Sequence, residues 1–292
     1  MKPRIISLGE VLWDLFPSGA RFGGAPANFA CHAAALEGEV TMISAVGADD
    51  QGREALTILE SFGIKTNLVQ TKKNLPTGSV SIEIDHNGKP SYTIHEDIAW
   101  DYLEWDHEIE SEINRADAIY FGTLGQRHSI SRATIRQAVE FASNHGIPRI
   151  LDVNLRSPFF DDSLIMESIE AASVLKLSDD EFEAVISACR ITTTKNHEDS
   201  LRSLLDKCGL DLVVMTRGAD GALLVTGDEI IDQPGIPTSV YDTVGAGDAF
   251  TASLVHGILR EDPYPIILRE ACSLASEVCS RPGAVPTAVK PT

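Results

Sequence analysis

Apolar runs of strand length alternate with segments of helical period along most of this chain. Residues 5–9 read as a short buried strand, and 27–36 as a helix of small residues entered through the turn Gly23-Gly24-Ala25-Pro26. Residues 41–46 are strand-like, and 51–62 carry Ala55, Leu56, Ile58, Leu59 and Phe62 at helical spacing. The alternation resumes with apolar runs at 118–121, 149–153, 174–177 and 212–215, separated by helical segments near 129–145, 163–172, 179–188 and 197–208. Such a βα series predicts a largely parallel sheet covered by helices on both faces. A hairpin at 222–226 and 229–232, then helices near 246–260 and 264–280, follow.

From about 66 to 103 the period changes to two. Val80, Ile82 and Ile84 alternate with Ser79, Ser81, Glu83 and Asp85, and Asn87-Gly88 precedes a second run with Tyr92 and Ile94. Asn-Gly between two such runs signals a hairpin. An insertion of this kind is expected to form a small sheet standing off the main one. No repeat or linker divides the chain, so 1–292 reads as a single α/β domain.

Composition narrows the function. With 43% hydrophobic and 23% charged residues in 292, the chain has the apolar content for a sizeable core. Lys plus Arg number 24 against 43 Asp plus Glu, a net charge of −19. No basic run is present to displace counterions, so nucleic acid is not an expected partner. Any anionic ligand must be held locally, by backbone N–H groups, placed cations or a metal. The five cysteines include no Cys-x-x-Cys pair, so neither a disulfide framework nor a zinc site is expected. No stretch approaches the ~20 apolar residues that span a bilayer, and a cytoplasmic protein with no membrane partner is expected.

The chemistry concentrates in 242–250, Asp-Thr-Val-Gly-Ala-Gly-Asp-Ala-Phe, a glycine-rich turn running into an apolar helical pattern. Free N–H groups at a helix start, approached closely because glycine has no side chain, bind anions without any basic residue. Asp248 falls in the first turn, beside any phosphoryl group held there, where it can take a proton from an attacking hydroxyl. The same carboxylate also reads as a plain helix cap. The dinucleotide fingerprint needs a third glycine where Phe250 stands, and the P-loop lysine is absent.

Taken together, 242–250 and the segment Gly23-Gly24-Ala25-Pro26-Ala27-Asn28 resemble the two signatures of the ribokinase/PfkB family of carbohydrate kinases. Gly9-Glu10 with Asp14, and Asn154-Leu155-Arg156, look most like fructokinases. The resemblance implies a ribokinase-like three-layer αβα sandwich, with a β lid formed by about 10–22 and 66–103. It implies ATP-dependent phosphoryl transfer to a sugar hydroxyl, with Asp248 as base and the N–H groups of Gly245, Ala246 and Gly247 as anion hole.

By the same resemblance Asp14, Gly23, Gly24, Asn28 and Arg156 bind the sugar, and Lys176, Thr216, Gly218, Gly221 and Gly247 the nucleotide. Asp152 and Glu181 are expected to meet Mg2+ through water, and Asp242, Val244 and Ala284 to surround a monovalent cation such as K+. Relatives also suggest a homodimer formed through the lid. The chain departs from the family at Ser178, where Asn-x-x-Glu is usual, and at Cys272, beside the adenine. Read plainly, Ser178 and Glu181 form a capping box. Fructose is the first substrate candidate, 2-keto-3-deoxygluconate the second, and ribose or a nucleoside the third. A regulator that binds nucleotide or sugar without catalysis is the reading from another class.

Overall fold

The computed structural model describes residues 2–84, 90–192 and 196–285. The chain opens with β1 (Arg4–Leu8), β2 (Leu12–Phe16), β3 (Gly19–Gly23), α1 (Ala25–Ala35), β4 (Glu39–Gly47), α2 (Asp50–Ser61) and β5 (Val69–Lys72). Then come β6 (Gly78–Ile84), β7 (Pro90–Ile94), α3 (His107–Ile113), β8 (Ala118–Gly122), α4 (Ser129–Asn144), β9 (Arg149–Asp152) and α5 (Asp162–Ala171). The rest comprises β10 (Val174–Ser178), α6 (Asp179–Ala188), α7 (His197–Cys208), β11 (Leu212–Thr216), β12 (Ala222–Thr226), β13 (Ile230–Gln233), α8 (Ala246–Leu259) and α9 (Tyr264–Cys279).

Among the described residues nine strands form the main sheet, in the order β13-β12-β11-β10-β9-β8-β1-β4-β5. All pairings from β11 through β5 are parallel, while β12 is antiparallel to both its neighbours. Because successive side chains leave a strand on opposite faces, adjacent apolar residues serve two different cores. Ile6, Phe121, Leu151, Leu175 and Val213 join one, under α4 to α7; Ile5, Tyr120, Ile150, Val174 and Val214 join the other, under α1, α8 and α9. This explains why the strands read as unbroken apolar runs, and the architecture is the expected αβα sandwich.

The second sheet runs β3-β2-β6-β7. Its strands come from 12–23, 78–84 and 90–94, joined by a parallel pairing of Leu12 with Gly78 through Leu15 with Ser81. It differs from the expected 66–103 in one respect. Strand β5, placed by periodicity within the insertion, instead extends the main sheet beside β4. Only Val69 of its four residues is buried, too short a pattern to reveal its partner. The expected Asn87-Gly88 turn and Lys89 lie outside the described residues. At the root of this sheet Arg127 pairs with Asp101 at 2.8 Å and lies between the rings of Trp100 and Phe159, 4.1 and 4.7 Å from their centroids. Trp100 is thus a packing residue.

Candidate active site

Parallel strands bring every β-to-α connection of the central sheet to one edge, the usual place for a ligand. There the two glycine segments, far apart in the chain, meet. Helix α1 starts directly after β3, with Pro26 in its first turn, and is fastened to β8 by Phe29 stacked on Tyr120 at 4.0 Å. Helix α8 lies against α1. Across that contact the Asn28 amide donates to Asp248 Oδ2 at 2.9 Å, joining residues 220 positions apart. His32 Nε2 and the Ala284 carbonyl, 2.9 Å apart, tie α1 to the loop after α9 as well.

Asp248 is 9% exposed and sits in the first turn of α8. Burial pushes its carboxyl up to about 7; the Asn28 hydrogen bond opposes this, Asp152 adds to it, and Lys176 and Arg156 oppose it. A carboxylate with that affinity is suited to accept a proton near neutral pH. Gly245 precedes the helix with φ 80°, a left-handed conformation costly for any other residue, and a Cβ there would collide with the Ala284 carbonyl. Of the three N–H groups expected to form the anion hole, that of Ala246 donates to the Thr243 carbonyl at 3.3 Å and closes the turn.

The expected sugar residues gather next to it. Asp14 lies on β2, opposite Arg21 of β3, and its carboxyl is raised by burial against the pull of Arg156 and Arg21. A Cβ on Gly23 would stand 2.8 Å from Asp14 Oδ2. Gly24, at φ 102°, passes the Glu10 carbonyl where a Cβ would come within 2.6 Å. The pair of glycines is thus a seat for Asp14 and a crossing for the chain. Arg156 is exposed, and its charge acts on Asp14, Asp248 and Glu10 together. It belongs to this side of the site.

The neighbouring cluster is fully engaged. Lys176 Nζ lies 3.2 Å from Asp152 Oδ1, both buried, and Thr251 Oγ1 is 3.2 Å from Asp152 Oδ2 and 2.9 Å from the Gly247 carbonyl. Burial works against the Lys176 ammonium, but Asp152 and Glu181 outweigh it and hold its pKa above the ordinary value. Gly247 faces the same amine, which would be 3.3 Å from a Cβ there. Glu181 accepts from the Leu155 N–H at 2.7 Å, and from the N–H and hydroxyl of Ser178 at 2.8 and 2.9 Å. The return half of the expected capping box is present, and it fastens the loop after β9. No cluster of three or more potential metal ligands occurs among the described residues.

Thr216 ends β11, and Gly218 and Gly221 lie between β11 and β12, where the Arg217 N–H donates to the Gly221 carbonyl at 2.7 Å. Val244 donates its N–H to Asp242 Oδ1 at 3.1 Å, and the N–H groups of Tyr241 and Asp242 reach the Cys279 carbonyl. The 241–245 segment and the 279–284 segment therefore run side by side. Sequence reading did not include Glu10, Tyr120 or Thr251 among the site residues. Glu10 is 3% exposed just beyond β1; Gly9-Glu10 entered the family resemblance, but with no role for the carboxyl.

A model of the pfkB family of carbohydrate kinases matches residues 19–291. The chain is 28% identical to the aminoimidazole riboside kinase of Salmonella typhimurium, over 92% of this chain and 85% of the relative. It is 27% identical to fructokinase-2 of Zea mays, over 97% and 90%. Among solved structures, fructokinase with bound ATP from Xylella fastidiosa superposes with a TM-score of 0.86 at 20% identity, covering 98% and 96%. Fructokinase from Vibrio cholerae O395, with fructose, ADP and calcium ion bound, gives 0.82 at 22%, covering 98% and 95%. No helix among the described residues is long and apolar enough to cross a membrane.

Proposed function

The chain belongs to the pfkB family of carbohydrate kinases, and from that premise we propose that it moves the γ-phosphoryl group of ATP to a hydroxyl of a small neutral sugar, fructose first. The observation that carries this reading is the Asn28–Asp248 contact, which sets a buried carboxylate with raised proton affinity at the start of α8, just after the Gly245 turn. Asp248 takes the proton of the sugar hydroxyl as that oxygen attacks. The N–H groups of Gly245 and Gly247, that of Ala246 on release from the Thr243 carbonyl, and the Lys176 ammonium meet the charge developing on the transferred phosphoryl oxygens. Positioning and charge stabilisation then supply most of the acceleration.

Asp14, Asn28 and the Gly23-Gly24 backbone hold the sugar, and Thr216, Gly218 and Gly221 the nucleotide. The carboxylates of Asp152 and Glu181 are already committed to protein partners, so they suit Mg2+ held by the phosphates and met through its waters, not direct ligation. Bound there, Mg2+ supplies charge neutralisation. Asp242 and the carbonyls of Val244 and Ala284 are assigned to K+, and 10–22 with 78–94 to a lid that closes over the sugar within a single domain and pairs two copies.

A neutral acceptor is favoured because the charge of Arg156 is already shared among Asp14, Glu10 and Asp248. An acid sugar would add a fourth negative group. The test is ATP consumption over fructose, 2-keto-3-deoxygluconate, ribose, adenosine and aminoimidazole riboside. Fructose or a similar neutral hexose is expected to lead the acid sugar by about tenfold or more in kcat/KM. If the acid sugar leads by that margin, and Arg156→Ala abolishes the lead, the neutral-sugar assignment is wrong.

A further inference from the structure

A cavity of about 330 Å³ opens between α4 and α5, on the face of the sheet away from α1 and α8. That volume falls within the range of small-molecule sites, and nothing in the mechanism above uses it. Phe121 of β8 and Ile135 and Val139 of α4, all buried, give it an apolar floor. Gln126 and Ser168 line it as well and are 1% and 2% exposed. Gln126 makes its two side-chain hydrogen bonds through Nε2, to the Gly122 carbonyl and the Ser168 hydroxyl, at 3.0 Å each. Its Oε1 accepts from no donor among the described residues, which leaves a buried acceptor in the wall of the cavity.

The rim is charged unevenly. Arg136 is paired with Glu167, on which Arg132 also acts. Glu140 of α4 and Glu170 of α5, both exposed, pair with no cation among the described residues. An ammonium at the mouth therefore gains two carboxylates, which would repel an anion. The loop after β8 connects this cavity to the acceptor side. Thr123 Oγ1 donates to the Val153 carbonyl at 2.7 Å, just before Asn154-Leu155-Arg156. Gly125 lies against Gly9, whose Cα would be 3.3 Å from a Cβ there. Gln126 lines the cavity, and its carbonyl accepts from Arg132 Nε of α4 at 2.6 Å. Arg127 holds Asp101 and the His95 carbonyl at the root of the small sheet.

We infer that the cavity between α4 and α5 is a regulatory site for a small amine with an apolar body and a hydroxyl donor at its far end. The ammonium meets Glu140 and Glu170, the body covers the apolar floor, and the hydroxyl donates to Gln126 Oε1. A ligand bonded to Gln126 holds the 123–127 loop, and with it the root of the small sheet and the segments beside the acceptor. Amine and sugar then favour each other's binding, by the same factor in both directions.

The probe is tyramine, titrated into the full chain by calorimetry. Three controls accompany it: phenethylamine, which lacks the hydroxyl, 4-ethylphenol, which lacks the ammonium, and 3-(4-hydroxyphenyl)propionate, which reverses the charge. Tyramine is expected to bind about tenfold more tightly than any of the three. Glu140→Lys with Glu170→Lys, both at exposed positions, should weaken tyramine about tenfold and leave turnover without amine unchanged. The best neutral sugar from the screen, at saturation, should tighten tyramine about fivefold, and tyramine should lower acceptor KM by a similar factor with ATP KM unchanged. The inference is overturned if tyramine does not bind, if a control binds as tightly, if the double variant binds tyramine as wild type does, or if sugar leaves tyramine affinity unchanged. A wild type that turns over no sugar would instead remove the kinase reading, and the titrations without sugar then decide the amine site.

Discussion

Two pairs of carboxyls stand at the same sheet edge in opposite conditions. Asp152 and Glu181 have both oxygens engaged, by Lys176, Thr251, Leu155 and Ser178. Asp248 is held through Asn28, and Glu10 has an oxygen with no partner. Asp152, Glu10 and Asp248 are all buried and Glu181 is half-buried, so the contrast lies in what each pair is finished by. A saturated cluster is complete as the chain folds and braces the loops around it. An unsaturated one carries a desolvation cost that only a ligand can repay, which is how a binding site differs from a strut.

The largest effect that would sharpen this contrast is expected at the strut. Lys176→Met strands Asp152 in a buried position, and urea unfolding should show a loss of ~3–5 kcal/mol, the usual cost of removing one partner of a buried ion pair. Lys176→Met with Asp152→Leu should recover most of it. A loss under ~1 kcal/mol for the single variant would mean that the cluster is not a brace.

At Asp248 the same logic runs in reverse. Asp248→Asn should fold normally and lose turnover by about 10²-fold or more. For the wild type, kcat/KM should fall as pH drops through about 7, because the base is then protonated. Stability moves the other way. A carboxyl whose folded pKa lies above its unfolded value contributes stability that is present at low pH and lost as pH rises through about 7. Asp248→Asn should therefore be more stable than wild type at pH 8 and lose that margin toward pH 4, as followed by thermal melts. A variant both inactive and less stable at pH 8 would place Asp248 among the braces.

The smallest effect is expected at the seat of Asp14. Gly23→Ala pushes a methyl toward Asp14 Oδ2, 2.8 Å away, so acceptor KM should rise about tenfold with ATP KM unchanged. Equal acceptor KM values in the two proteins would show that Asp14 needs no such seat.

How much of this was legible in the sequence depended on whether each signal was local. The main strands could be read because both faces are buried, leaving apolar runs such as 118–121 and 212–215. The helices could be read from apolar residues at helical spacing, as in α2, where Ala55 and Leu59 are buried; the caps at Asp49, Asp161 and Asn196, each accepting an N–H from its own first turn, are seen only in the structure. Strands β2 and β3 left no alternation to read, since Leu12 and Trp13 are both buried and the pairing that organises them comes from Gly78 onward. In the site, each glycine turn was visible alone. That Asn28 closes on Asp248 depends on a contact between segments that share no spacing rule.

The Asn28–Asp248 bond also has a meaning in time. During synthesis the chain emerges from its N-terminal side, so α1 and the acceptor side of the pocket are made 220 positions before their catalytic counterpart exists. Until α8 arrives, the small-residue face that packs against it, including Ala27, Ala30 and Cys31, has no cover from that helix. Closing so distant a contact is among the slower steps a chain can take. Catalytic competence is then the last property the nascent protein acquires, and turnover reports that synthesis and folding have both run through α8.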